Sequence, residues 1–400
     1  MSKYFCGAPH ARINFRNSGK DTKLTVCCNL DNNNSGHLDF EFIQKISSTL
    51  DKGIFPKECN LCKKEELAGA ISERLSLQSF DHKPVFEIGI KFSNLCNLAC
   101  RFCNPNDSST YQKITSTVPQ YESISTDITE DSDTWNKILN YIEHKVFTDK
   151  EIIIHPIGGE PLLAPGFYKL LDWCISKNIA KFITLRITTS FYSKINNDFL
   201  NKCTKFARTE IIASIDSVDD NYSLVRFPGK FTKIEKHLEV IKPYLNYNFD
   251  INLAVAPVVS LNNILYLPDI INFWQKFTLT IDQRRFSMFS WHLYQPTELM
   301  PENVPVYLQD LIFDTLDKAI NHGFLKQPNT ERFRDVLVGL RESIKTSNNK
   351  DAWLGYLDFT AKWDVLVKQE TCSLNKLFKY INAEDKNYYL KRVDFYKQVP

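Results

Sequence analysis

Short apolar runs alternate with longer amphipathic segments from residue 85 onward. The runs are rich in Val and Ile: VFEIGIKF, EIIIHPI, ITLRITT, EIIASID, DINLAVAP and SMFSWHLY. Between them lie segments with helical periodicity, such as DTWNKILNYIEHKV and FTKIEKHLEVIKPYL. Near-continuous apolar strands that alternate with helices are typical of a parallel sheet covered by helices. Crossovers of this kind are right-handed, so we expect an α/β fold with six βα units in a partial (β/α)6 TIM-like barrel over residues 81–298.

The two ends of the chain have a different pattern. Residues 1–80 carry five cysteines, a polar loop (NLDNNNSGH) and a predicted helix over KKEELAGAISERLSL. We therefore expect a small cysteine-rich domain at 1–80. Beyond residue 300 the segments VPVYLQDLIFDTLDKAINHG and TERFRDVLVGLRESI have helical character. They predict a C-terminal helical extension over 299–400 that covers the barrel without chemistry of its own.

Composition narrows the choice of function. The 400 residues are 43% hydrophobic and 24% charged, as in ordinary globular proteins, and the net charge of +2 does not indicate nucleic acid. The start lacks the apolar core of a signal peptide and no run of 18 apolar residues exists, so we expect no membrane span and a cytoplasmic location. In a reducing compartment, 11 cysteines indicate metal ligands rather than disulfides. The isolated Cys174, Cys203 and Cys372 are expected to be buried structural thiols.

Three cysteines follow the first predicted strand of the barrel. Cys96, Cys100 and Cys103 lie in CNLACRFC, with a C-x₃-C-x₂-C spacing that differs from the C-x₂-C pairs of zinc sites. Three thiolates on a four-iron cluster leave one iron open to a small molecule. The segments GGEP and SIDS follow the second and fourth strands, at the strand ends where barrels carry their active sites.

CNLACRFC resembles the signature loop of the radical S-adenosylmethionine (radical SAM) superfamily. The resemblance implies a radical SAM partial barrel and a 4Fe–4S cluster whose fourth iron is chelated by the amino and carboxylate groups of SAM. It also implies reductive cleavage of SAM to a 5′-deoxyadenosyl radical. IGGEP is similar to the GGE motif of that family, in which Gly158 and Gly159 allow close backbone approach and Glu160 accepts from the SAM ammonium group.

The segment ASIDSVDDNYSLVR is similar to the fourth-strand region of the same family. The similarity implies that Ser214 and Asp216 bind the ribose hydroxyls, that Arg226 pairs with the SAM carboxylate, and that Phe102 lies against the adenine. The apolar LAVAPV would form an adenine wall. Taken without the cysteine motif, an Asp and a downstream Arg also fit a surface ion pair.

The N-terminal cysteines resemble the twitch domain, the shortened auxiliary-cluster domain of SPASM-type relatives. A closed site with four thiolates would use Cys6, Cys28, Cys59 and Cys62, with Cys27 as the alternative to Cys28, and would hold a second 4Fe–4S cluster; zinc is the alternative metal. The other cues that carry this resemblance are Pro9, Gly19, Glu66, Gly69, Ser72 and Arg74. His10 stands where an aromatic residue is often found.

The resemblance implies hydrogen abstraction from a substrate C–H bond, with an auxiliary cluster that aids electron transfer. The favoured substrate is a peptide or protein, and the electron donor a flavodoxin or ferredoxin. A small metabolite, sugar or nucleotide is the alternative substrate, and a non-catalytic iron–sulfur binding protein is the alternative function. At the end of the sixth strand, Trp291, His292 and Tyr294 are candidate substrate contacts, although Trp291 also fits core packing.

Overall fold

A computed structural model describes residues 6, 8–17, 22–27, 40–67, 72–76, 85–115, 126–149, 151–247, 249–290, 296–345 and 350–398. The strands in chain order are β1 (Arg12–Asn17), β2 (Thr22–Thr25), β3 (Val85–Lys91), β4 (Ala99–Cys100), β5 (Glu151–Ile157), β6 (Ile183–Thr189), β7 (Arg208–Ala213), β8 (Arg226–Phe227), β9 (Ile251–Val255) and β10 (Phe286–Met288). The helices are α1 (Ala8–Ala11), α2 (Phe40–Asp51), α3 (Asn60–Leu67), α4 (Glu73–Ser76), α5 (Ser109–Thr115), α6 (Ser132–Thr148), α7 (Pro165–Ser176), α8 (Asn197–Cys203), α9 (Asn221–Val225), α10 (Phe231–Asn246), α11 (Leu267–Thr278), α12 (Val306–Ile320), α13 (Glu331–Lys345), α14 (Lys350–Val367), α15 (Thr371–Leu374) and α16 (Ala383–Gln398).

Eight of these strands form one sheet in the order β10–β9–β7–β6–β5–β3–β1–β2. The pairs β3–β5, β5–β6 and β9–β10 are parallel, and the six strands from β3 to β10 in this sheet follow one another in chain order. The predicted α/β fold with successive βα units is therefore confirmed. The sheet order is open, with β10 and β2 at its ends. The strands β4 and β8 form a separate antiparallel pair.

Strand β3 has one apolar face. On β3, Phe86, Ile88 and Ile90 are buried, whereas Glu87 and Lys91 on the opposite face are partly exposed. This alternation explains why VFEIGIKF folds as a strand with one row of side chains in the core and one row of polar side chains.

The N-terminal hairpin continues the parallel sheet. Strand β1 pairs in parallel with β3, so that Arg12 lies beside Glu87, and β2 pairs antiparallel with β1. Ile13 and Phe15 of β1 are buried. Burial of these apolar side chains favours pairing of this short strand with the edge of β3. The sequence boundary expected at residue 80 thus lies between strands that are neighbours in one sheet. The helix expected over KKEELAGAISERLSL includes residues of α3 and of α4, whereas residues 68–71 lie outside the described residues, so a single continuous helix stays a prediction.

Contact density divides the chain into two compact units. The first comprises Met1–Leu95, Ser123–Thr188 and Asn201–Glu210, and the second comprises Cys96–Glu122, Thr189–Leu200 and Ile211–Pro400. The helices α12 to α16 belong to the second unit, where Trp353, Tyr356 and Trp363 of α14 are buried. In the part of the chain that the structure describes, no helix has both the length and the apolarity needed to cross a membrane.

Candidate metal centre

The loop that carries the three cysteines is held by its backbone. Strand β4 places Cys100 opposite Arg226 of β8, and the Cys103 N–H donates to the Cys100 carbonyl at 2.9 Å. The Cys96 N–H donates to Ser109 Oγ at 3.1 Å, and Thr110 Oγ1 donates to the Cys96 carbonyl at 2.7 Å. All three cysteines therefore lie on a backbone fixed by local hydrogen bonds and one strand pair.

The three thiols share one electrostatic environment. Burial raises the pKa of Cys103 well above its usual value, and the neighbouring Cys100, Asp107 and Cys96 raise this pKa further. The thiolates of Cys96 and Cys100 therefore oppose ionisation of Cys103. Bound iron would reverse this effect, because a metal cation stabilises its thiolate ligands.

This donor set fits a cluster better than a single ion. In the described part of the chain, no three Cys, His, Asp or Glu side chains are arranged to hold one metal ion. In a cubane cluster each thiolate binds a different iron, so the sulfurs need not converge on one point. The all-sulfur donor set and the mutual influence of the three thiols are compatible with such a cluster.

Arg226 connects the cysteine loop to the residues after β7. Its guanidinium forms an ion pair with Asp216 through Nε, donates from Nη1 to Cys100 Sγ at 3.4 Å, and lies 5.3 Å from the centroid of the Phe102 ring. Burial lowers the pKa of Arg226, but the charges of Asp216 and Cys100 outweigh this effect and raise the pKa. The guanidinium is thus a fixed positive charge beside one of the three thiols.

Asp216 is fully buried, with 0% of its surface exposed. Its Oδ1 accepts the Val258 N–H at 2.8 Å, and its carbonyl accepts from Asn263 Nδ2 at 2.7 Å. The alternative of a surface ion pair is therefore wrong, since the pair with Arg226 lies in the interior. Ser214 is partly buried, and its N–H donates to the Thr189 carbonyl at 2.8 Å.

The two glycines of the GGE segment have left-handed backbone conformations. The φ angles are +68° at Gly158 and +58° at Gly159. A Cβ on Gly159 would lie 2.8 Å from the Leu95 carbonyl oxygen and 2.9 Å from that of Ser93. The close backbone approach expected at Gly159 is therefore an approach to Ser93 and Leu95, which lie just before Cys96.

Glu160 follows these glycines and is buried. Its N–H donates to the Leu95 carbonyl at 2.8 Å, and its carboxylate accepts the Leu162 N–H at 3.2 Å, where it caps the short helix Pro161–Leu163. The structure thus gives Glu160 a capping function. Its predicted contact with the SAM ammonium group stays a prediction.

The N-terminal cysteines form a second group. Burial, together with the smaller effects of Cys27, Cys6 and Cys62 in that order, raises the pKa of Cys59 to about 12. The hairpin β1–β2 places Cys6 before β1 and Cys27 after β2, so both lie at the same end of the hairpin. Cys62 lies in the first turn of α3 and is buried.

Three polar residues that were predicted to accompany the N-terminal cysteines contact one another: Glu66, Ser72 and Arg74. Arg74 donates to both carboxylate oxygens of Glu66, at 2.8 Å from Nε and 2.6 Å from Nη2, and Ser72 Oγ donates to Glu66 at 2.6 Å. Burial raises the pKa of Glu66, but these hydrogen bonds outweigh it and lower the pKa. Arg74 also lowers the pKa of the Cys6 thiol, against the stronger effect of burial. The two-pronged contact fixes the chain on both sides of residues 68–71.

Several predicted site residues lie outside the described residues: Cys28, Gly19, Gly69, Trp291, His292 and Tyr294. The choice between Cys27 and Cys28 and the substrate contacts after the sixth strand therefore stay predictions. Of the isolated cysteines, Cys174 and Cys203 are buried as expected, whereas Cys372 is only partly buried.

A row of charged side chains on the polar face of the sheet was not predicted. His155 Nδ1 lies 3.1 Å from Glu87 Oε1, and Arg186 joins Glu87 at 2.8 Å to Glu210 at 2.8 Å. Burial raises the pKa of Glu87, yet His155 and Arg186 outweigh it and hold the pKa at about 2. The only signal in the sequence is a polar residue at alternate positions of apolar strands, which does not tell which residues pair.

No family model matches the chain, and no curated protein matches it. Among solved structures, native anSMEcpe with bound AdoMet is 17% identical, with a TM-score of 0.42 over 72% of this chain and 68% of that chain. Native anSMEcpe with bound AdoMet and Kp18Cys peptide is 15% identical, with a TM-score of 0.44 over 78% and 97%. Streptococcus suis SuiB bound to S-adenosylmethionine is 16% identical, with a TM-score of 0.37 over 77% and 69%. Similarities of this size do not establish a shared activity.

Proposed function

We propose that this chain is a radical SAM enzyme in which Cys96, Cys100 and Cys103 hold a 4Fe–4S cluster and SAM binds the open iron. The observation that carries the proposal is the grouping of three thiols on one short loop, with the buried Arg226 donating to Cys100. When bound and reduced, such a cluster supplies the electron that cleaves SAM to methionine and a 5′-deoxyadenosyl radical.

In this proposal Arg226 favours the thiolate form of Cys100, because a positive charge in a buried site strongly stabilises a nearby negative charge. Asp216 orients the guanidinium through the buried ion pair. We assign this positioning role to Asp216 beside the proposed ribose contact, since each of its carboxylate oxygens accepts from one protein donor and can accept a further hydrogen bond. Phe102 stays assigned to the adenine.

The remaining SAM contacts are proposed from the motifs. Ser214, which is partly exposed, is assigned to a ribose hydroxyl. Glu160 is assigned to the ammonium group through the carboxylate that also caps the following helix, since a carboxylate oxygen can accept more than one hydrogen bond. Gly158 and Gly159 shape the loop that presents it.

We assign a second cluster to Cys6, Cys59, Cys62 and either Cys27 or Cys28. The mutual effect of Cys6, Cys27 and Cys62 on the pKa of Cys59 supports this grouping. A second 4Fe–4S cluster offers a place for the electron of a substrate that is oxidised after loss of a hydrogen atom. A flavodoxin or ferredoxin is the proposed electron donor.

We propose a peptide or protein as the substrate, with a small metabolite as the alternative. The peptide and the small-molecule fractions of a cell extract, added separately to the reconstituted enzyme, distinguish them. Faster formation of 5′-deoxyadenosine with the peptide fraction alone supports the proposal. Stimulation by the small-molecule fraction alone contradicts it.

Binding of SAM to the first cluster is tested by electron paramagnetic resonance. The Cys59→Ala/Cys62→Ala variant keeps only the Cys96, Cys100 and Cys103 site, so the spectrum of its reduced form reports one cluster. We expect SAM to change this spectrum, because its amino and carboxylate groups become ligands of the open iron. An unchanged spectrum at saturating SAM would argue against the proposal, and a variant that also carries Cys100→Ala is the control.

A further inference from the structure

Arg101 stands between Cys100 and Phe102 and is completely buried. Its Nη2 donates to Asp364 Oδ1 at 2.7 Å and to Thr371 Oγ1 at 2.8 Å, and its Nε donates to the Leu224 carbonyl at 2.9 Å. This buried guanidinium links the cysteine loop to residues of the C-terminal helical region, which are distant in the sequence.

Asp364 is the centre of this contact and is 4% exposed. Its Oδ1 accepts from Thr371 Oγ1 at 2.7 Å, and its Oδ2 accepts from the Thr371 N–H at 2.8 Å and from Tyr389 Oη at 2.6 Å. The carboxylate therefore joins α14, α15 and α16 to one side chain of the cysteine loop. A buried network with several hydrogen bonds holds its members in one geometry.

Apolar packing acts at the same place. Trp363, next to Asp364 on α14, packs against Ala99 together with Val367, and its ring lies 5.1 Å from that of Tyr111 on α5. Both neighbours of Cys100 in the chain, Ala99 and Arg101, thus contact the residues of α14. On the backbone side, the Arg101 N–H donates to the Val225 carbonyl at 3.0 Å.

The energetics favour a positioning role over a purely stabilising one. A buried ion pair contributes little net stability, because desolvation of both charges offsets their attraction. Loss of one partner is nevertheless costly, since the other charge stays buried and unpaired. An interaction of this kind fixes the place of the loop more than it lowers the free energy of folding.

We infer that Arg101 and Asp364 are positioning residues of the cysteine loop, so that α14 to α16 form part of the cluster site. The inference rests on the proposed function, because it assumes that the loop holds a cluster. The contact between Arg101 and Asp364 does not depend on that assumption. The C-terminal region is then a support of the metal centre, in contrast to the covering element that the sequence predicts.

The test measures reactivity of the thiols in the metal-free protein. The full chain is treated with iodoacetamide under reducing conditions, and labelling of each cysteine is followed by mass spectrometry. We expect Asp364→Asn to label Cys100 at least about tenfold faster than wild type, because the unpaired Arg101 charge opens the loop. The matched control is Asp358→Asn, which removes the same charge from α14 but affects only the contacts with Arg392 and Tyr396.

Reference positions separate local from global loosening. Cys174 and Cys203 are buried thiols in the first compact unit, and the amides of β9 report the second unit by hydrogen exchange. We expect these references to keep their wild-type rates. Equal labelling of Cys100 in Asp364→Asn and Asp358→Asn, or equal acceleration at all reference positions, would overturn the positioning role.

A double variant keeps the inference testable if Asp364→Asn does not fold. Arg101→Met/Asp364→Leu leaves no unpaired charge, so we expect it to fold while Cys100 still labels faster than in wild type. A return to the wild-type labelling rate would overturn the inference. The iron content of reconstituted wild type is measured in parallel: wild type without iron would refute the proposed function, whereas the labelling result stands independently.

Discussion

Gly159→Ala is the substitution whose cost is most directly readable from the structure. The residue has a φ angle of +58°, and a methyl group there would lie 2.8 Å from the Leu95 carbonyl oxygen and 2.9 Å from the Ser93 carbonyl oxygen. Both contacts are with backbone, so no side-chain rotation relieves them. The neighbouring amide of Glu160 donates to the same Leu95 carbonyl at 2.8 Å and would be displaced with it.

Two costs add at this position. A left-handed conformation costs a residue with a Cβ about 1–2 kcal/mol. Forcing a methyl group into a packed site costs about 1–3 kcal/mol. We therefore expect a local destabilisation of about 2–5 kcal/mol, concentrated where residues 158–160 meet residues 93–95.

Hydrogen exchange measured by mass spectrometry reports this effect. Peptides that contain Glu160 should exchange at least about tenfold faster in Gly159→Ala than in wild type. The control is Gly339→Ala within α13, where a Cβ meets no atom within 4 Å and Ala should stabilise the helix by about 0.5–1 kcal/mol. Unchanged exchange around Glu160 in Gly159→Ala would refute the steric reasoning.

Two other variants test the charged row and the N-terminal cysteines. The pKa of Glu87 is about 2, below its usual value of 4.5, so its stabilising effect is complete above about pH 4.5 and is lost as the pH falls towards 2. Glu87→Gln should therefore lower the free energy of unfolding by about 3 kcal/mol at neutral pH, with a smaller difference from wild type as the pH falls; a difference independent of pH would contradict the assigned pKa. Cys62→Ala should remove roughly half of the bound iron and leave some SAM cleavage, as measured by iron analysis and product assay, whereas full iron content would exclude Cys62 as a ligand.

Local patterns were sufficient to predict the six strands β3, β5, β6, β7, β9 and β10. VFEIGIKF, EIIIHPI and ITLRITT became β3, β5 and β6, because alternating burial and β-branched residues act over a few positions. The spacing of the three cysteines likewise indicated one site, since residues within eight positions of a loop stay close in any fold. The buried state of the pair Asp216–Arg226 did not follow from spacing, and only the structure distinguishes it from a surface ion pair.

Contacts between distant segments could not be predicted. Arg101 and Asp364 are 263 positions apart, and an arginine beside a cysteine motif carries no sign of its partner. The N-terminal hairpin is a second example, because the edge of β3 that it covers is defined only once the sheet exists. Pairing across the sheet depends on the order and register of the strands, and the local pattern of one sequence does not predict which strands become neighbours.

The central claim is that the loop with Cys96, Cys100 and Cys103 supports reductive cleavage of SAM. The most direct measurement is anaerobic: the protein is reconstituted with iron and sulfide, reduced in the presence of SAM, and assayed for 5′-deoxyadenosine by mass spectrometry. We predict product with wild type and none with Cys100→Ala, which lacks one of the three thiolates. Absence of product from wild type that carries a reducible cluster and is supplied with both extract fractions, or equal product from Cys100→Ala, would contradict the claim.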